Sequence, residues 1–147
     1  MLLARAPDDA RFPAARHWGA WAGKVGGVMA SELAALGFNL SFAPVLDVHS
    51  DENNPVIGPR AFSSDPSEVA ALGLEFYHAL EAAGVLACGK HFPGHGATVT
   101  DSHFQLPTLD IDEETMEARE LHPFEVAIQD GIGMIMSAHV MFPQLDS

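Results

Sequence analysis

Three apolar runs, each preceded by a helical pattern and each ending in ionisable residues, constrain the fold of this chain more than any other feature. The first, residues 38–48, carries Asp47 near its carboxyl end. The second, 85–89, leads into Lys90 and His91, and the third, 134–137, leads into Ala138 and His139. Short apolar runs with little polar alternation read as strands buried on both faces. Helical patterns lie before them. Over residues 14–36, Trp18, Trp21, Val25, Val28, Met29, Leu33 and Leu36 recur at spacings of three and four. That spacing predicts a helix with this face in the core, capped by Gly37. Gly23, Gly26 and Gly27 weaken its middle. The Trp pair could stack a sugar, but at helical spacing it reads as core.

Asp65-Pro66-Ser67-Glu68 predicts a second helix start. Asp65 can cap, Pro66 suits the first helical position and Glu68 completes a capping box. Val69, Leu72, Phe76 and Leu80 then predict its buried face as far as about residue 83, before Gly84. A third helix should start near Asp112 with Glu113, Glu114 and Glu117 in its opening turns. Pro123 should break it, and a short second segment should end at Gly131. The order helix, strand, repeated three times, predicts an α/β fold with a parallel sheet. In such sheets sites are built at the carboxyl ends of the strands. The long stretches 49–64 and 90–111 both follow strands, so Asp47, Lys90, His91 and His139 should converge on one rim.

Composition narrows the partners. The 147 residues suffice for one domain with a core. The formal net charge of -13, with only 7 Lys+Arg, repels phosphate backbones and anionic lipid, so neither nucleic acid nor a membrane surface is an expected partner. No apolar run approaches about 18 residues, the length of a membrane span. No basic segment followed by an apolar one opens the chain, so no signal peptide is expected. Cys88 is the single cysteine, which rules out a disulfide framework within the chain and fits a reducing compartment; the cytoplasm is the expected location.

The chemistry concentrates in residues 90–103, which hold His91, His95, His103, Lys90 and Asp101 around a Pro-Gly turn. A lysine beside a histidine at a strand end needs acceptors, and sugar hydroxyls or a carboxylate would serve. Pairing of Lys90 with Asp47 alone is the competing structural account. A carboxylate two residues from a histidine, as in Asp101-Ser102-His103, can reach Nδ1–H, fix the tautomer and stabilise imidazolium. Such a histidine can act as a general acid/base near neutral pH. His91, His95 and His103 also raise the question of a metal, but their spacing sits on a turn with no acidic ligand in a known pattern. No metal is expected. His17, His49, His78 and His122 are scattered and read as surface or ordinary structural residues.

The string K-H-F-P-G-H-G at 90–96, followed by D-S-H at 101–103, closely resembles glycoside hydrolase family 3, in its bacterial β-N-acetylglucosaminidase branch. Leu106-Pro107 with Asp110, F-A-P-V-L-D-V at 42–48, I-G-P-R-A-F-S-S-D-P at 57–66, R-E-L-H-P-F at 119–124 and M-S-A-H-V at 136–140 fit the same resemblance, which runs from about residue 12 to 146. It implies a (β/α)8 TIM-type barrel, of which residues 1–147 would be a partial domain of about three central βα units. It implies removal of terminal β-linked N-acetylglucosamine with retention of configuration, from peptidoglycan-derived or chitin-derived sugars. His103 would be the general acid/base and Asp101 its orienting partner. Lys90, His91 and Arg60 would hold the sugar, with Asp47 at the rim. Neither a metal nor an organic cofactor is implied, and the partner is a carbohydrate, an N-acetylglucosaminide. Use of a histidine departs from the usual two-carboxylate scheme. The family's nucleophilic carboxylate follows a later strand, so the expectation is a partial chain without turnover of its own. Two other readings stand beside this one. A β-glucosidase of the same family shares the Lys-His pair but lacks the P-G-H-G loop with its D-x-H, and a sugar-binding protein would need no nucleophile.

Overall fold

The structure is a computed structural model and describes residues 18–100 and 104–145. In chain order it contains α1 (Trp18–Ala35), β1 (Leu40–Ser41), a 3-10 turn (Gly58–Arg60), α2 (Pro66–Ala82), β2 (Leu86–Phe92), α3 (Glu113–Thr115), a π-helical segment (Met116–Leu121), α4 (His122–Asp130) and β3 (Met134–Ser137). The strands form a three-stranded parallel sheet in the order β1-β2-β3. The alternation read from the sequence is therefore the observed architecture.

Burial on both faces holds for β2, where Ala87, Cys88 and Gly89 are buried in succession, and not for its neighbours. β1 and β3 flank it and are at most half-buried. β1 is also far shorter than the apolar run predicts, because Pro44 has no N–H to give to a ladder. The run still follows β2 by irregular hydrogen bonds: Cys88 N donates to Ala43 O (2.9 Å), Lys90 N to Pro44 O (3.1 Å) and Leu46 N to Lys90 O (2.6 Å). Asp47 is thereby laid beside the carboxyl end of β2. β2 itself runs three residues further than predicted, so Lys90 and His91 belong to the strand and not to the loop. Lys90 pairs with Met136 and Phe92 with Ser137, which leaves His91 as an extra residue in a bulge.

The helices show where local signals decide and where they do not. Asp65 caps α2 by accepting from Ser67 N (2.8 Å) and Glu68 N (3.2 Å). Glu68 does not return to Asp65 as a capping box would. Its carboxylate accepts from Ser63 Oγ (2.7 Å), and that same hydroxyl accepts from Asp65 N (3.1 Å). Val69, Leu72, Phe76 and Leu80 are all buried as predicted. Burying one such side chain stabilises by about 1.5–3 kcal/mol.

On α1 the predicted face is corrected. Trp21, Val25, Val28 and Leu36 are exposed, while Ala22, Gly26 and Ala30 are buried. A Cβ at Gly26 would lie 2.8 Å from Phe76 O, so α2 approaches along the line of small residues. Residues that weaken the isolated helix are the ones that let two helices meet closely. Pro123 likewise does not break its helix. The π-helical segment immediately before it widens the turn that the proline ring would otherwise crowd, and α4 continues to a left-handed Gly131 (φ 105°). Leu46, Phe124 and Ala127 form one buried cluster, and Ala30, Phe76, Tyr77, Leu80, Val85 and Ala87 form another; Leu74 and Ile132 pack against both.

Candidate active site

Asp47 is the centre of the polar network at the carboxyl end of β2. It is fully buried. Its Oδ2 lies 2.7 Å from His91 Nδ1, it accepts from His91 N at 3.2 Å, and its Oδ1 accepts from His95 N at 2.8 Å. A carboxylate facing Nδ1 makes that nitrogen the donor and leaves Nε2 as the acceptor of the neutral ring. Asp47 thus orients His91 and ties down the turn that follows. It does not serve as the dedicated partner of Lys90.

Lys90 is held below its ordinary pKa, first by burial and then by the charge of Arg60; the charge of Asp47 works the other way but does not prevail. Lys90 comes from β2 and Arg60 from the 3-10 turn after β1, so cations from two separate units feel each other's charge at the end of the sheet where Asp47 orients His91. Arg60 is exposed, and its Nη1 donates to Val56 O (3.1 Å). Such a set favours a ligand rich in acceptors. Cys88, just below, is pushed up by burial and remains a thiol.

The turn after β2 is built from backbone contacts. A Cβ at Gly96 would fall on the Val48 carbonyl oxygen, so only glycine lets the turn lie against the segment carrying Asp47. His95 is 2% exposed, and its Nδ1 lies 2.5 Å from Thr98 Oγ1. Thr98 gives its own proton to His95 O (3.0 Å), which makes the ring nitrogen the donor. His95 is therefore a strut of the turn. Among the described residues no group of three or more His, Cys, Asp or Glu side chains could hold a metal ion. Asp101 and His103 lie outside the described residues. His139 is exposed and follows Ala138, whose N donates to Phe92 O (2.6 Å), so it belongs to the same end of the sheet.

Two residues of this network make long-range contacts that no local sequence signal announces. The Asn54 side chain is buried and makes five hydrogen bonds, whereas that of its neighbour Asn53 is exposed and, among the described residues, bonds to Asp51. Glu120 is fully buried beneath the turn. Its Oε1 accepts from Arg119 Nε (2.8 Å) and Ser50 Oγ (3.2 Å), and Oε2 has no partner among the described residues. Burial pushes its pKa up, and the nearby Asp47 adds to this; the ion pair with Arg119 and the Ser50 hydroxyl offset only part of the shift.

A family model, the glycosyl hydrolase family 3 N terminal domain, matches residues 3–147. The chain belongs to glycosyl hydrolase family 3. This family 3 chain is 48% identical over 128 residues to beta-hexosaminidase A of Pseudoalteromonas piscicida, which covers 86% of it and 21% of that protein. Its structure superposes with a TM-score of 0.84, at 44% identity, on a family 3 beta-N-acetylglucosaminidase from Paenibacillus, over 86% of this chain and 24% of that one. NagZ from Neisseria gonorrhoeae in complex with N-trifluoroacetyl-D-glucosamine gives the same TM-score and identity over 90% of this chain and 39% of that one. The family 3 chain thus spans between about a fifth and two fifths of these relatives. Its α/β architecture is the one the sequence predicts. No helix among the described residues is long and apolar enough to cross a membrane.

Proposed function

We propose that this chain carries the sugar-binding rim and the acid/base loop of a retaining β-N-acetylhexosaminidase that releases terminal β-linked N-acetylglucosamine. The observation that carries the reading is the convergence of Lys90, Arg60 and the Asp47-oriented His91 at one end of the sheet. The names of its relatives favour N-acetylglucosaminides over glucosides. In this reading Arg60 and Lys90 donate to sugar hydroxyls, and His91 holds a further polar group of the same ring. His103 protonates the departing glycosidic oxygen and then takes a proton from the incoming water, with Asp101 orienting its ring. The covalent step of a double displacement needs a carboxylate below the anomeric carbon, and none of the residues assigned here supplies it. Neither metal nor organic cofactor enters these steps. Peptidoglycan-derived or chitin-derived N-acetylglucosaminides are the proposed substrates, and the cytoplasm is the proposed compartment.

The test compares chromogenic N-acetylglucosaminide and glucoside hydrolysis by the full-length gene product and by the 147-residue chain. The expected result is N-acetylglucosaminide turnover by the former, lost on His103→Ala, and none by the latter. Preference for the glucoside would move the assignment to the β-glucosidase branch. Sugar binding without hydrolysis of either compound by the full-length product would replace the enzyme with a binding protein.

A further inference from the structure

We infer that Asn54 is a positioning residue that joins the two loops of the site, setting the Arg60 turn against the turn that follows His91. Its carboxamide has two ends with separate tasks. Oδ1 accepts from Val56 N (2.9 Å) and Ile57 N (2.6 Å), and so closes the backbone immediately before the 3-10 turn that ends in Arg60. Nδ2 crosses to the other loop and donates to His95 O (2.7 Å) and Gly96 O (3.0 Å), with Thr98 Oγ1 at 3.3 Å. The group is 6% exposed, so water has little access to replace these bonds. A primary amide alone among the side chains presents two acceptor lone pairs and two N–H donors on one plane.

The crossing has a continuation. His95, which receives Asn54 at its carbonyl, is held through its N–H by Asp47, and Asp47 holds the His91 ring. An unbroken hydrogen-bonded path therefore runs from the Arg60 turn through Asn54, His95 and Asp47 to His91. The residues on either side of the crossing are 41 positions apart in the chain. The same contact fixes residues 95–98, from which the segment bearing Asp101 and His103 departs. Its bearing on catalysis rests on the function proposed above; its bearing on the loops does not.

Asn54→Asp separates the two tasks. A carboxylate keeps the acceptor for Val56 and Ile57 but turns an oxygen toward two carbonyls. Hydrogen–deuterium exchange of the full-length gene product is the decisive measurement. In Asn54→Asp, amides of residues 94–98 should exchange about tenfold faster or more, while those of 56–60 stay as in the wild type. Asn54→Ala should release both stretches, and Asn53→Asp neither. Wild-type exchange at 94–98 in Asn54→Asp would overturn the inference, because Asn54 would then serve its own turn alone. Loss of protection across α2 and β2 as well would also overturn it, because the residue would then hold the whole domain. Kinetics add a second readout: Asn54→Asp should lower kcat for the N-acetylglucosaminide by about tenfold or more with a smaller change in KM, while Arg60→Ala should act mainly on KM. If the wild type hydrolyses nothing, the proposed function fails and the exchange result still decides the role of Asn54.

Discussion

Two buried carboxylates lie against the turn after β2, and they are treated differently by their surroundings. Asp47 meets donors from the His91 ring and from two backbone N–H groups. Glu120 meets two donors on one oxygen and leaves the other bare among the described residues, next to the place where a Gly94 side chain would stand. The first arrangement directs a neighbouring imidazole. The second raises the pKa of a carboxyl group, chiefly by burial, beneath a backbone that must fit closely over it. A buried carboxylate becomes an orienting group only when donors surround it, and otherwise its protonation follows its burial.

Removal of each support should sharpen this contrast. The largest effect is expected for Asp47→Ala, which leaves the His91 ring and two amides without their acceptor. Unfolding in urea should show a loss of about 3–5 kcal/mol, and turnover by the full-length product should fall with it. Equal losses for Asp47→Ala and Glu120→Ala would break the comparison. Next come two glycines of that turn. Gly96→Ala meets the Val48 backbone and should cost about 3 kcal/mol, because a carbonyl cannot step aside. Gly94→Ala meets the Glu120 carboxylate at 2.6 Å, with φ at 148°, and should cost about 1–2 kcal/mol, part of which Glu120→Ala should restore.

A smaller effect follows from the proton. The folded chain holds it on Glu120 more tightly than the unfolded chain does, since the folded pKa is raised. Stability linked to this group is therefore full below the ordinary glutamate range and falls as pH climbs from that range to the raised value. Glu120→Gln should remove this fall, seen as a flatter urea midpoint between mildly acidic and neutral pH. A wild-type profile that rises with pH by the same amount as the variant's would contradict the assignment. The smallest effect is Ser50→Ala. It deletes one hydrogen bond to Glu120, should cost about 0.5–1.5 kcal/mol at neutral pH, and should move the pH-dependent fall upward, because the hydroxyl lowers the Glu120 pKa.

Sequence reading succeeded where the determining contacts are near in the chain. The Asp65 cap, the Gly84 and Gly131 ends and the buried face of α2 each depend on residues within a turn or two. It failed on α1 because periodicity finds an apolar face but not which of two faces its neighbour can approach. The stripe of Ala22, Gly26 and Ala30 wins there because α2 packs at close range. Pro123 misled for a related reason: the π turn that accommodates it lies in residues with no distinctive composition. At the site, Lys90 and His91 stood out as ionisable residues at a strand end, and Arg60 came from the family resemblance. The role of Asp47 beneath them, and the crossing contacts of Asn54 and Glu120, could not be read, because those partners lie 41 to 70 positions away. The pairing of Asp101 with His103 came from spacing and resemblance.

The bulge at His91 has a consequence for how such a site can change. Side chains along a strand alternate between two faces, so every residue after an inserted one is out of phase with the strand before it. From Phe92 onward the turn is presented in this shifted parity relative to β3. A substitution at Lys90 or His91 alters one contact. The loss or gain of one residue between Lys90 and Phe92 would turn over everything downstream at once, from Phe92 to the histidine pinned on Asp47. Between Lys90 and Phe92, a change in the number of residues reaches further than a change in their identity.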